Sequence, residues 1–190
     1  MLIIYSGPSG VGKGTIMGKL MPMEDLRLVS SVSMTTRKPR EGEVEGVNYF
    51  YVTKKRFKEA IRNDELLEYA EYVKNYYGTP REYVEKQLKK GNNVVLEIEV
   101  QGARQVMEKM KDHVSIFITP PSMEELERRI LGRKSETPET LALRIETAKK
   151  EMEQTGIYDY VVCNDDLDVA VEEVRQIILK EMEKREEKPE

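Results

Sequence analysis

Tryptophan is absent from this 190-residue chain, and cysteine and histidine occur once each, as Cys163 and His113. A single thiol excludes an internal disulfide, and one thiol with one imidazole excludes a Cys/His zinc cluster. Any metal in use must then be a hard ion held by oxygen. No apolar run approaches the ~20 residues of a membrane helix, so no membrane span is expected. The start, "MLIIYSG", has no basic stretch ahead of its apolar residues and no small-residue cleavage pattern, which argues against a secretory signal. Cytoplasmic residence is the expectation. Positive charge is not in excess either, because 31 Lys and Arg stand against 35 Asp and Glu for a net charge of −4. A global field for nucleic acid is thereby ruled out, and an anionic ligand must be met by locally placed arginines and lysines.

What is present describes one folded domain with appended segments: 39% hydrophobic residues are enough for a core, and 35% charged residues keep the surface polar. "LIIYS" (2–6) reads as a fully buried parallel strand and is followed by a helix from Lys13 to Met21, stopped by Pro22. "LRLVSSVSM" (26–34) and "VNYFYV" (47–52) read as strands around a basic loop, and Thr53 is placed to cap a helix carrying Phe57, Ala60 and Ile61. "LLEYAEYV" (66–73) reads as a strand, and Pro80 and Gly91 bracket a helix over 80–90. "NNVVLEIEV" (92–100) is the strongest strand, with Glu97 and Glu99 on one face. A helix over 102–111, a strand over 113–119, a helix opened by Ser122 and Glu125, a long helix from Pro138 to Gln154, a strand over 158–163 and a helix from Leu167 complete the pattern. Cys163 is expected to be buried in its strand and His113 to be a surface residue at the start of its own. Helices alternating with strands predict an α/β fold with a parallel sheet flanked by helices, and the strands between 33 and 79 predict an inserted small sheet.

"YSGPSGVGKGT" (5–15) follows the first strand and opens the first helix. Gly7, four residues, Gly12 and Lys13 have the spacing of a P-loop, whose backbone N–H groups and helix N-terminus hold a polyphosphate. The residues assigned to that triphosphate site are Gly7, Pro8, Ser9, Gly10, Val11, Gly12, Lys13, Gly14 and Thr15. Lys13 is placed on the β and γ phosphates. The hydroxyl expected next to the lysine comes one residue later, at Thr15, so contact with magnesium is either direct or through water.

Further blocks follow in order: "SVSMTTRKPREGEVEGVNYFYV", "LLEYAEYVKNYYGTPREYV", "LEIEVQG", "GRKSETPETLALRIETAKKEM" and "DYVVCND". With the P-loop they make the chain resemble the guanylate kinase family over essentially its whole length. The resemblance implies a P-loop NTPase core over 1–32, 84–123 and 146–190, a mixed α/β GMP-binding insertion over 33–83 and a helical lid over 124–145. It implies transfer of the γ-phosphoryl group of ATP to GMP, and also to dGMP, with Mg2+ carried on ATP, by a monomer or homodimer that binds neither nucleic acid nor membrane. Arg37, Arg40, Tyr49 and Tyr77 are implied to grip the GMP phosphate, and they are chemically suited to it as cationic forks and phenol donors. Glu68 is implied to accept from guanine N1–H and N2–H, Glu99 to be a second acidic contact to the base, and Ser33 and Thr79 to donate to O6. Thr79 is equally suited to cap the helix that follows. Glu97 is implied to orient hydrated magnesium, directly or through water. Arg133 and Arg144 are implied to reach the transferring group, with Arg129, four residues after Glu125, as a third. Asn164 resembles a contact near adenine and is equally suited to a turn or cap.

Two other functions fit parts of the pattern. A family-like interaction module would use the GMP loop for phosphopeptides, but the intact Lys13 disfavours it. A P-loop kinase for another acceptor would keep the loop and change the base contacts.

Overall fold

The computed structural model describes residues 1–72, 74–131 and 138–187, of which 138–140 as backbone only. The elements are β1 (Leu2–Ser6), α1 (Lys13–Leu20), β2 (Leu28–Ser30), β3 (Met34–Thr35), β4 (Phe50–Tyr51), α2 (Lys54–Arg62), β5 (Leu66–Tyr72), β6 (Asn75–Pro80) and α3 (Arg81–Lys89). They continue with β7 (Asn93–Glu97), α4 (Val100–Lys109), β8 (Val114–Thr119), α5 (Met123–Leu131), α6 (Pro138–Met152), β9 (Tyr160–Cys163) and α7 (Leu167–Glu186). Among the described residues no helix is long and apolar enough to cross a membrane.

The larger sheet is parallel with strand order β2-β7-β1-β8-β9. Every residue of β1 is buried, as befits a parallel strand covered on both faces. Alternate residues feed different cores. Ile3 and Tyr5 pack with Ile16 and Leu20 of α1 and Val174 and Ile178 of α7. Leu2 and Ile4 pack with Val84 of α3 and Ala103 and Val106 of α4.

The smaller sheet has order β4-β3-β6-β5, with β3 and β4 parallel and the other pairs antiparallel. Its core is Met34, Phe57, Ala60 and Leu66, covered by α2. The Thr53 hydroxyl caps that helix by accepting from Arg56 N–H at 3.1 Å. Ser122 caps α5 with its Oγ accepting from Glu125 N–H at 3.1 Å, while the Glu125 carboxylate pairs with Arg128 and Arg129 rather than completing a capping box.

Four expectations change. The 26–34 segment is two strands rather than one, because β2 belongs to the large sheet and β3 to the small one. The strand over 92–100 stops at Glu97, since Val100 begins α4 and Glu99 becomes its N-cap position. Pro80 ends β6 with extended geometry, ψ 125°, instead of joining the helical turn. Cys163 is exposed: it lies on the edge strand β9, opposite Thr119, and its outward neighbour Val161 is 46% exposed as well.

Phe57 is fully buried and stacks on Tyr76 with ring centroids 5.4 Å apart. Phe57→Ala is expected to cost about 3–5 kcal/mol by leaving a cavity under the small sheet. A shift of the urea midpoint measures it, and a loss below about 1 kcal/mol would contradict this packing.

Candidate functional site

β1, β7 and β8 end at the same edge of the large sheet, and the loop over 7–12 rises from it. Gly12 has φ +99°, the left-handed region, and an added Cβ would collide with Asn164 Nδ2. Glycine is therefore required there twice, by conformation and by space. Lys13 turns its ammonium over the loop, donating to Gly7 O at 2.5 Å and Pro8 O at 3.1 Å. Tyr5 donates its phenol to Lys13 O at 3.3 Å, and burial pushes that phenol's pKa up so that it stays a donor. Thr15 is exposed on the first turn of α1.

Asn164 is buried just beyond β9. Its N–H donates to Thr119 O at 2.8 Å and its Nδ2 to Val11 O at 2.8 Å. Arg129 of α5 pairs with Glu125 at 2.8 Å, as its spacing predicts, and its guanidinium also donates to Asn164 O at 3.0 and 3.1 Å. Bonds from Arg128 and Arg129 hold the Glu125 carboxyl down to about 2. Asn164 thus braces the loop, a role that its position after a strand did not reveal.

A cleft of about 430 Å³ beside the loop is lined by Gly7, Ser9, Lys13, Tyr72, Glu97, Ile98, Glu99, Leu143, Arg144, Thr147 and Glu151. Arg144, Thr147 and Glu151 lie three and four residues apart and form one stripe of α6. A second cleft, of about 390 Å³, is lined by Ser33, Tyr49, Glu68, Tyr77, Glu97, Glu99 and Gly102 among others. Tyr72, Glu97, Ile98 and Glu99 line both. Glu97 and Glu99 are exposed there although only Glu97 belongs to the strand.

Glu68 is 8% exposed at the floor of the second cleft. Burial raises its pKa, and Glu99 adds to the rise while Thr79 opposes it. Thr79 sits in β6 and donates its hydroxyl to Glu68 Oε1 at 2.6 Å. It is therefore not a helix cap, since the cap position falls on Pro80, which makes no side-chain cap. One hydroxyl hydrogen cannot serve Glu68 and a base oxygen together, so Thr79 orients the carboxylate in this conformation.

Arg37 forms a two-pronged pair with Glu43, 2.8 and 2.9 Å, and its guanidinium lies 5.3 Å from the centre of the Tyr49 ring. Tyr49 meets Tyr77 edge-on at 6.0 Å. Glu43 also accepts from Arg40 N–H at 2.7 Å and from Tyr51 OH at 2.8 Å. Arg37's bonds, with Arg40's N–H next, hold Glu43 down to about 2. Arg40 is exposed on the loop, and neither arginine is among the residues lining the cleft. Arg133 lies outside the described residues.

Sequence reasoning missed Glu43 and Glu151. An acid three residues after Arg40 in a turn-rich loop was the available signal for the first, and the seven-residue spacing from Arg144 for the second.

A family model described as guanylate kinase matches residues 1–181. A guanylate kinase of Bacillus cereus is 52% identical over 98% of this chain and 91% of its own. One from Streptococcus agalactiae serotype III is 53% identical over 94% and 85%. The crystal structure of guanylate kinase from Anaplasma phagocytophilum superposes with a TM-score of 0.70 at 36% identity, covering 95% of this chain and 85% of that one. The SH3-kinase fragment of tight junction protein 3 shares the fold at 13% identity and a TM-score of 0.51.

Burial raises the Glu151 carboxyl from 4.5 to about 7; Glu99 adds to the rise and Lys13 opposes it. Folding therefore tightens proton binding at Glu151. That stabilisation is full below pH 4.5 and is lost as pH climbs through about 7. In Glu151→Gln this contribution disappears, so the stability gap between variant and wild type is expected to move in the variant's favour from pH 4 to pH 8. Thermal unfolding of both proteins at several pH values checks it, and a gap that does not change with pH would refute the assignment.

Proposed function

The chain belongs to the guanylate kinase family, and from that membership we infer how its own residues carry the family reaction. It transfers the γ-phosphoryl group of ATP to GMP and releases ADP and GDP. The observation that supports our assignment of roles is the shared wall of the two clefts, Tyr72, Glu97, Ile98 and Glu99. Ligands seated one in each cleft meet end to end over the last residue of β7. That is the arrangement in-line transfer needs.

In this proposal the loop cleft takes ATP. Backbone N–H groups of the loop and the start of α1 hold the triphosphate, and Lys13 exchanges the carbonyls of Gly7 and Pro8 for phosphate oxygens. The second cleft takes GMP, with dGMP as a further acceptor. Glu68 and Glu99 accept from the guanine N–H groups, Ser33 donates to O6, and Thr79 fixes Glu68. Adenine reverses that donor and acceptor pattern and leaves buried groups unpaired, which such sites reject by roughly 10⁴–10⁵. Tyr49, Tyr77, Arg37 and Arg40 receive the phosphate. Arg37's two-pronged geometry toward Glu43 is also the geometry that suits a phosphate.

Among the described residues no group of three or more His, Cys, Asp or Glu side chains is placed to hold a metal. An ion that arrives on ATP phosphates needs only one or two protein oxygens, and we assign them to Glu97 and Thr15. Held by those two side chains, magnesium carried on ATP would supply charge neutralisation to the phosphates. Arg144 brings a guanidinium to the loop cleft from α6. We propose Arg133 as its companion and 124–145 as the lid that excludes water, a competing acceptor. We place the reaction in the cytoplasm.

An ADP-release assay with ATP and GMP, AMP, CMP or UMP tests the acceptor, and GMP is expected to dominate. Lys13→Ala is expected to abolish turnover with the fold intact, and unchanged turnover would defeat the mechanism. Arg40→Ala is expected to raise KM for GMP by an amount equivalent to about 1.5–3 kcal/mol, the value of a charge-assisted hydrogen bond. A loss confined to ATP would contradict that placement.

A further inference from the structure

One stripe of α4 touches β5 at three successive levels. Gly102, Gln105 and Lys109 are three and four residues apart and share a helix face. At Gly102 an added Cβ would stand 2.9 Å from Glu68 Oε2, so the missing side chain leaves room for that carboxylate. Gln105 Oε1 accepts from Tyr69 N–H at 3.1 Å, and its Nε2 donates to Tyr69 O at 3.1 Å. Lys109 donates to Leu66 O and pairs with Asp64, each at 2.7 Å.

β5 is the edge of the small sheet, where unpaired main-chain groups face outward. A side-chain amide has the donor and acceptor of a peptide group, so Gln105 supplies to Tyr69 what a further strand would. The neighbouring helix positions Ala103 and Val106 are buried in the core of the large sheet. Gln105 therefore joins the two sheets, and it does so at the residue directly after Glu68. It is not among the residues that line the second cleft, so any influence on the acceptor passes through β5.

We propose that Gln105 is a specificity-determining positioning residue, which sets where the Glu68 carboxylate stands toward the acceptor base by holding both main-chain groups of Tyr69. This rests on the assignment of Glu68 to guanine. Base discrimination depends on two carboxylate oxygens meeting two N–H donors in one plane, and hydrogen bonds weaken steeply when misaligned. A strand fixed at 69 keeps residue 68 in register with the core, where the phosphoryl group is handed over.

Gln105→Met removes both bonds at similar volume. The variant is expected to raise KM for GMP about tenfold, the scale of one or two net hydrogen bonds. It is expected to keep the wild-type KM for ATP, to lower the GMP-to-AMP ratio of kcat/KM, and to lose hydrogen-exchange protection at the Tyr69 amide. A variant with lower Tm but the wild-type GMP-to-AMP ratio would show a structural tether only and overturn the proposal. Glu68→Gln, measured beside it, separates the two assignments. If Glu68→Gln keeps the wild-type ratio, the guanine assignment fails and this inference with it. If Glu68→Gln loses the ratio while Gln105→Met keeps it, the role of Gln105 alone is wrong.

Discussion

Parallel pairing of β1 with β7, in the register that sets Tyr5 opposite Glu97, is the constraint from which the site's geometry follows. β1 ends one residue beyond Tyr5 and gives way to the phosphate loop, while Glu97 is the last residue of β7. A cation-bearing loop and an acid are thereby set side by side at the edge where ligands of open α/β sheets collect. Burial holds the register. Ile3 and Tyr5 serve one core and Leu2 and Ile4 the other, so a slip of one residue would exchange the two sets across the sheet. Apolar packing far from any phosphate thus keeps the reacting groups aligned.

The cations assigned to the phosphates or to the loop have internal acceptors. Lys13 has the carbonyls of Gly7 and Pro8, Arg37 has Glu43, and Arg129 has Glu125 and the carbonyl of Asn164. An arriving anion therefore exchanges partners at these groups instead of finding bare charge. The net gain is the difference between two charge-assisted bonds, smaller than either alone. Such exchange favours ligands whose oxygens match the geometry already present, such as the planar fork of Arg37. Glu43 keeps that fork ordered, and its own low pKa means that it remains a partner well into acid.

The P-loop, the parallel sheet and the inserted small sheet were legible because each rests on local chemistry: glycine spacing, continuous apolar runs, and a cluster of segments of strand composition between 33 and 79. Cap residues Thr53 and Ser122 were legible for the same reason. The exposure of Cys163 was not, since β9 has the composition of a buried strand and only the sheet order shows that it lies at an edge. Nor was the end of β7: Ile98 and Val100 continue the apolar pattern, but the chain turns into α4 where the clefts need room. At the site, residue identity was easier to read than partnership. Neither Thr79 nor Asn164 is among the residues lining the two clefts; their hydrogen bonds run to Glu68 and Val11, contacts between residues 11 and 153 positions apart that no local pattern encodes.

Those internal bonds bear on how the loop holds a phosphate at all. A chain of donors that must be ordered by its ligand spends binding energy on ordering, whereas one already fixed by the fold does not. Here the loop is held by β1 through Tyr5 and by the end of β9 through Asn164, which Arg129 of α5 fixes in turn. The Asn164 amide fills the space that a side chain at residue 12 would occupy, so the glycine that gives the loop its conformation also admits its brace. Conformational entropy of the loop is then lost when the protein folds, and the N–H groups at the start of α1 already point together when an anion reaches them. Because the brace comes from the opposite edge of the sheet to β2, the order of the strands, and not the loop sequence alone, determines the shape of the phosphate site.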